Sequence, residues 1–207
     1  MKQTNIPIER HPLEPFLPKN GRVLMLGSFP PQKKRWCIDF YYPNFTNDMW
    51  RVIGLVFMSD SLHFVDTENK VYRKEAIVDF LNETGIGIYD TACSVRRLAD
   101  NAADKDLEVV EPTDIDALLA CMPHCRAIVT TGKKATETIC ERYDIALPKV
   151  GGFVEFVRQG DTFRLYRMPS TSRTYPLALA KKAEAYKRMF VDVFPNIFSV
   201  NVAHYII

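Results

Sequence analysis

Short, wholly apolar runs alternate along the chain with stretches whose apolar positions recur every three or four residues. GRVLMLGSFPP is such a run, bounded by Gly and Pro, and predicts a buried strand ending at Gly27. NDMWRVIGLVFM then sets Met49, Trp50, Ile53 and the pair Val56 and Phe57 at helical spacing, with Thr46 or Asn47 placed to cap the helix. RKEAIVDFLNETG predicts a second amphipathic helix stopped by Gly85. IGIYD reads as a short strand, EPTDIDALLACMP as a helix with Pro112 and Thr113 at its start, and RAIVTTG as the next buried strand. Beyond KKATETICERY, the segment VEFVRQGDTFRLYRM predicts a hairpin around Gln159, Gly160 and Asp161, and LALAKKAEAYKRMFVDVF a final long helix. Residues 59 to 72 read as a surface excursion, and IFSVNVAHYII as a packing tail or an added strand.

This alternation predicts an α/β fold, a three-layer α/β/α sandwich with a largely parallel central sheet. The length suits one domain over residues 1–207, with residues 1–20 as an N-terminal leader and 193–207 as the packing tail. In such sheets ligands bind outside the carboxyl ends of the strands. Three loops follow strand ends and are expected to converge on one cleft: Gly27 to Pro31 with its aromatic sequel, the loop at Asp90, and Met168 to Arg173.

Composition narrows the class. With 47% apolar and 25% charged residues the chain reads as an ordinary globular protein, and no apolar run approaches the roughly 20 residues that span a bilayer. The N-terminal segment has no apolar core of a signal peptide, so a cytoplasmic compartment is expected. The five cysteines form no Cys-x-x-Cys pair; Cys121, His124 and Cys125 sit on a helical pattern without a fourth ligand, so packed or helix-end thiols are expected in place of a metal site. Net charge is only +2, but residues 75 to 116 hold eleven acids against three bases. The basic excess therefore lies elsewhere, in part at Lys33 to Arg35 and from Arg173 to Arg188. That asymmetry suits a polyanion on one face, and equally suits solvated helix faces.

The sequence FYYPNFTNDMW packs rings and amides together. Tyr41, Tyr42 and Phe45 beside Asn44 and Asn47 supply stacking faces and groups that both donate and accept, as a flat heteroaromatic ligand such as a nucleobase requires. PSTS offers hydroxyls and backbone N–H groups to phosphate oxygens. Plainer readings stand beside these: an aromatic cluster is commonly core, and Ser/Thr runs before helices are commonly caps.

Taken in order, LMLGSFPP, FYYPNFTNDMW, GIGIYDTACSVRR, EPTDIDALLACMP and MPSTS resemble the uracil-DNA glycosylase superfamily, and within it the branch described as hypoxanthine-DNA glycosylases. The resemblance runs from about Val23 to Ser172. It implies a uracil-DNA glycosylase-like fold, hydrolysis of the N-glycosidic bond of a deaminated base in DNA, no cofactor and no metal, and DNA containing a damaged base as partner of a monomer. By position, Asn47 matches the amide that orients water, and Tyr42 the aromatic that stacks on the flipped base, with Tyr41, Phe29 and Asn44 beside it. Ser28 stands where other branches carry Asp, Asn or Glu; a neutral hydroxyl is a poor base, so the hydrolytic role shifts to Asn47. Ser170, Thr171 and Ser172 match the motif that meets the DNA backbone, and Arg173 follows at a place to grip a phosphate. The chain departs from the pattern at Pro31, at Pro43 to Phe45 and at Met49, and the stretch holding Asp104, the match for a family Asp, is longer than its counterpart. Two other functions fit the same motifs: a nucleic-acid-binding module without chemistry, and a protein that hydrolyses or binds free nucleotides through PSTS.

Overall fold

The computed structural model describes residues 6–99 and 106–199. Its centre is a five-stranded sheet in the order β5-β2-β8-β10-β9, formed by β2 (Val23–Gly27), β5 (Ile86–Asp90), β8 (Ala127–Thr131), β9 (Phe153–Arg158) and β10 (Asp161–Met168). The first four strands of that order are mutually parallel, and β9 joins β10 antiparallel at the edge. Every residue of β2, β5 and β8 is buried, which explains why these strands are continuous apolar runs and do not alternate. The β9–β10 hairpin turns at Gln159 and Gly160, both at positive φ, as a tight two-residue hairpin loop requires.

Helices α1 (Met49–Met58), α2 (Lys74–Thr84), α3 (Ile115–Ala120), α4 (Lys133–Tyr143), α5 (Leu179–Val193) and α6 (Pro195–Ser199) complete the α/β architecture. α1 and α5 pack together through rings, with Phe57 and Phe190 centroids 4.9 Å apart, and Trp50, Tyr186 and Phe190 are among the largest fully buried side chains. α2 ends where expected, at Gly85 with φ of 73°; a Cβ there would stand 2.5 Å from the Asn20 carbonyl oxygen, so the left-handed turn and the close approach both call for glycine.

Several segments differ from the sequence reading. The N-terminal segment read as a leader enters the fold: β1 (Ile8–Arg10) pairs with β6 (Ala92–Arg97), and β6 with β7 (Leu107–Pro112), giving a second, antiparallel sheet. Phe16 also bridges to Ile88 of the central sheet. α3 starts at Ile115, not at Pro112, which ends β7; Asp114 is its cap and accepts the N–H groups of Asp116 and Ala117. The excursion over residues 59 to 72 is anchored in the core by Phe64, Val65 and Tyr72 and closes as the small hairpin β3 (Val65–Asp66) and β4 (Val71–Tyr72). The tail begins with α6; residues 200–207 lie outside the described residues, as does Asp104. No helix among the described residues is long and apolar enough to cross a membrane, and no group of three or more His, Cys, Asp or Glu among them is placed to hold a metal ion.

Candidate functional site

The carboxyl ends of the parallel strands open into a cavity of about 390 Å³. Gly27 to Pro31 beyond β2, Asp90 at the end of β5, Thr131 at the end of β8 and Ser170 to Pro176 beyond β10 line it, with Tyr41 to Asn44, Thr46 and Asn47 closing one wall. All the residues singled out from the sequence, Ser28, Phe29, Tyr41, Tyr42, Asn44, Asn47, Ser170, Thr171, Ser172 and Arg173, meet at this one cavity. Convergence at strand ends follows from parallel topology, which sends every following loop to the same edge of the sheet.

Their exposure divides them. Tyr41 is 3% exposed and its hydroxyl donates to the Glu14 carbonyl at 2.7 Å, while its own carbonyl accepts from Trp50 Nε1; burial drives its phenol well above the usual range. Its ring therefore belongs mainly to the core. Tyr42 is half-buried, its ring edge-on to Trp50 and its hydroxyl 3.1 Å from Thr131 Oγ1. Its φ of 49° puts a non-glycine residue in the left-handed region, a strained conformation that turns the chain sharply between the two tyrosines. Phe29 is half-buried, edge-on to His11 with ring centroids 5.4 Å apart. Asn44 folds into its own turn, Oδ1 accepting from both the backbone and the hydroxyl of Thr46. Thr171 is buried, Ser170 and Ser172 are half-buried, and Arg173 is exposed at the rim.

Asn47 lines the cavity and at the same time bonds the start of α1. Asp48 holds the cap position of α1 without a side-chain cap bond; Asn47 Oδ1 instead accepts the Met49 N–H at 2.9 Å. That bond fixes the amide, so Asn47 turns its Nδ2 donor, not its oxygen, to other partners. Its carbonyl accepts from the Tyr72 hydroxyl, which also donates to Phe45 O at 3.2 Å, and Arg51 Nη1 donates to Phe45 O at 2.9 Å. Burial pushes the Tyr72 phenol up to about 12, so it remains a donor at neutral pH.

The two motif loops are joined behind the cavity. Asn47 and Ser172 form an antiparallel bridge, and the Asp48 N–H donates to Thr171 O at 2.8 Å. Lys182 of α5, 1% exposed, donates to Asp48 Oδ2 at 2.9 Å and to Ser172 O at 2.8 Å. Tyr186, one turn on, donates to Pro169 O at 3.1 Å. The basic run from Arg173 to Arg188 is thus not a uniform solvent face, since Lys182 is consumed inside. Arg97 is likewise buried, held by Glu9 and by Pro30 O at 3.1 Å, where it braces the Gly27 to Pro31 loop. The acidic residues Asp114 and Asp116 are matched locally by Arg142, and Asp116 also by Arg158. Exposed cations next to the cavity are Arg173, whose Nε lies 3.5 Å from Asp48 Oδ1, and, following Pro31, Lys33, Lys34 and Arg35.

Sequence reasoning passed over His11, Asp48, Lys182 and the Asp90 side chain. His11 Nε2 lies 2.9 Å from Asp90 Oδ2, and both side chains are almost fully buried. The partners are 79 residues apart for His11 and Asp90 and 134 for Asp48 and Lys182, beyond any local pattern. A faint signal existed at Gly27: a Cβ there would sit 2.4 Å from Asp90 Oδ1, so the glycine leaves room for that carboxylate.

No family model matches the chain, and no curated protein matches it either. Among solved structures the fold is similar to the solution NMR structure of a candidate uracil DNA glycosylase from Methanosarcina acetivorans, with a TM-score of 0.59 and 21% identity over 90% of this chain and 98% of that one. The likeness is one of fold, a mixed α/β architecture around a mostly parallel five-stranded sheet.

Proposed function

We propose that this chain is a monofunctional, metal-independent DNA glycosylase of the uracil-DNA glycosylase superfamily, nearest its hypoxanthine branch, which hydrolyses the N-glycosidic bond of a deaminated base, uracil or hypoxanthine, and leaves an abasic site. The observation that carries this reading is the meeting of the Asn47 loop and the Ser170 to Arg173 loop in one cleft at the strand ends. The fold likeness to a candidate uracil DNA glycosylase supports it.

A base inside a duplex must leave the stack to be reached, at a cost of a few kcal/mol that pocket contacts offset. The half-buried Tyr42 and Phe29 offer ring surface to a flipped base, and a cavity of about 390 Å³ has room for one. Ser170, Ser172 and Arg173, also lining the cavity, offer hydroxyl and guanidinium donors to the flanking phosphates. Departure of the base leaves oxocarbenium character on the sugar, so an oriented water matters more than a strong nucleophile. Asn47 Nδ2 donates to that water's oxygen from a loop fixed by Tyr72, Asp48 and Lys182.

The test is incubation with labelled duplexes carrying one uracil, hypoxanthine, xanthine or no lesion, followed by alkaline cleavage of abasic sites. Breaks at one lesion, lost in Asn47→Ala while lesion-DNA binding persists, are the expected result. Salt-dependent binding to any duplex without base release overturns it in favour of a binding module.

A further inference from the structure

Asn47 leaves a gap in the hydrolysis. Its oxygen accepts the Met49 N–H, so its Nδ2 is the group left to hold a water by donating, and a carboxamide is too weak a base to take the proton that water loses on bonding to carbon. The Ser28 hydroxyl is a poor base. Among the described residues that line the cavity, Asp90 is the one carboxylate. It ends β5 where the chain leaves the central sheet for β6, and its backbone is fixed by the Thr113 hydroxyl, which donates to Asp90 O at 2.7 Å.

His11 backs this carboxylate and is built to hold a proton in either of two forms. Nε2 faces Asp90 Oδ2 at 2.9 Å, and Nδ1 faces both the Leu13 carbonyl at 2.8 Å and the Leu13 N–H at 3.2 Å. With Nε2 alone protonated, the ring donates to the carboxylate and Nδ1 accepts the Leu13 N–H. With one more proton in the pair, Nδ1–H donates to the Leu13 carbonyl. Each form thus finds a partner for Nδ1 on the Leu13 backbone. The ring, 2% exposed in its side chain, is caged by Tyr89 at 4.6 Å, Phe29 at 5.4 Å and Tyr41 at 6.1 Å between centroids, so its orientation is set by packing.

We propose that Asp90 is the proton acceptor of the hydrolysis and that His11 is its positioning and proton-storing partner; this rests on the glycosylase reading above. As the water oxygen bonds to C1′, the C1′–N bond breaks and its electron pair leaves with the base. One water proton passes to the Asp90 carboxylate and is shared with His11. It is then returned to the departed base or to solvent, so that one water is consumed and one free base and one abasic site result. Asp90 supplies the carboxylate that position 28 lacks, from the neighbouring parallel strand. Gly27 keeps the space open, since a Cβ there would collide with Asp90 Oδ1 at 2.4 Å.

The test compares single-turnover base release, lesion-DNA affinity and Tm in the full-length wild type, Asp90→Asn, Asp90→Ala with and without formate, and His11→Gln. Release in Asp90→Asn is expected to fall by about 100-fold or more, the range for a positioned general base, with affinity and Tm retained. Formate is expected to restore part of the rate in Asp90→Ala. His11→Gln, which keeps a donor toward Asp90 but stores no proton, is expected to slow release by about tenfold without weakening DNA binding. An active wild type with Asp90→Asn at nearly the same rate overturns this inference and leaves the glycosylase reading standing. A wild type inert on every lesion overturns both. If Asp90→Asn loses its folding transition, the formate experiment decides: recovery supports the acceptor role, and none overturns it.

Discussion

Two buried aspartates at the cleft, each with a basic partner, look alike in number. His11 and Asp90 have side chains 2% and 9% exposed; Lys182 and Asp48 have side chains 1% and 9% exposed. Asp90 lines the cavity, whereas Asp48 lies behind it, with Oδ2 on Lys182 and Oδ1 3.5 Å from Arg173 Nε. The difference is in their place relative to the cavity. A carboxylate held behind the cavity between two cations is scaffold, and one that lines the cavity is placed to meet a ligand. Burying a charge is costly in either case, so each aspartate carries its own cation or imidazole partner.

Breaking the scaffold pair should give the largest effect on folding. Lys182→Met leaves the buried Asp48 with only the exposed Arg173, 3.5 Å away, as a cationic partner and is expected to cost about 3–5 kcal/mol of unfolding free energy, read from the denaturant midpoint. Adding Asp48→Asn should recover much of that loss, because the uncompensated charge is gone; a single mutant within 1 kcal/mol of wild type would show that the pair does not join the loops. Asp90→Asn should behave in the opposite way, with release slowed and stability nearly kept. Gly27→Ala sharpens the contrast from the backbone side. Its Cβ, 2.4 Å from Asp90 Oδ1, is expected to cost about 1–3 kcal/mol through overpacking and to slow base release by displacing the carboxylate. Retained release in Gly27→Ala would count against a fixed position for Asp90.

Smaller effects follow on the Asn47 side. Tyr72→Phe removes the donor to Asn47 O and Phe45 O and is expected to cost about 1 kcal/mol. Burial raises the Tyr72 phenol to about 12, so the fold favours its neutral form. That contribution is whole below the unfolded phenol's ionisation near about 10 and is lost as pH rises through the folded value. The stability gap between wild type and Tyr72→Phe should therefore narrow between pH values of about 10 and 12, measured as urea midpoints, and a constant gap would contradict the assignment. At the rim, Arg173→Ala should leave folding unchanged and lower the salt dependence of DNA binding by about one phosphate contact.

The sequence makes some of this legible and hides the rest for physical reasons. Val23–Gly27, Ile86–Asp90 and Ala127–Thr131 are buried on both faces, and such strands announce themselves as apolar runs. The amphipathic helices around Trp50 and Tyr186 announce themselves by period. β1, only Ile8–Arg10, carries two exposed residues and gains its strand form from pairing with β6, so nothing local marks it. His11 was hidden by the same cause, since its position follows from that pairing. Lys182 reads as one more cation on a charged helix because a 3.6-residue pattern assigns a face, not the partner that waits there. The convergence of the three loops was legible from topology alone, whereas the direction of the Asn47 amide needed the Met49 N–H to be placed.

Whether the cleft breaks glycosidic bonds is decided by one measurement: mass-spectrometric detection of free base after full-length protein is mixed in excess with a duplex carrying a single uracil or hypoxanthine, beside Asn47→Ala. Stoichiometric release of one of these bases together with an abasic strand, absent in Asn47→Ala at equal DNA binding, is the predicted result. Intact lesion DNA recovered from a wild-type protein that binds it would contradict the glycosylase assignment.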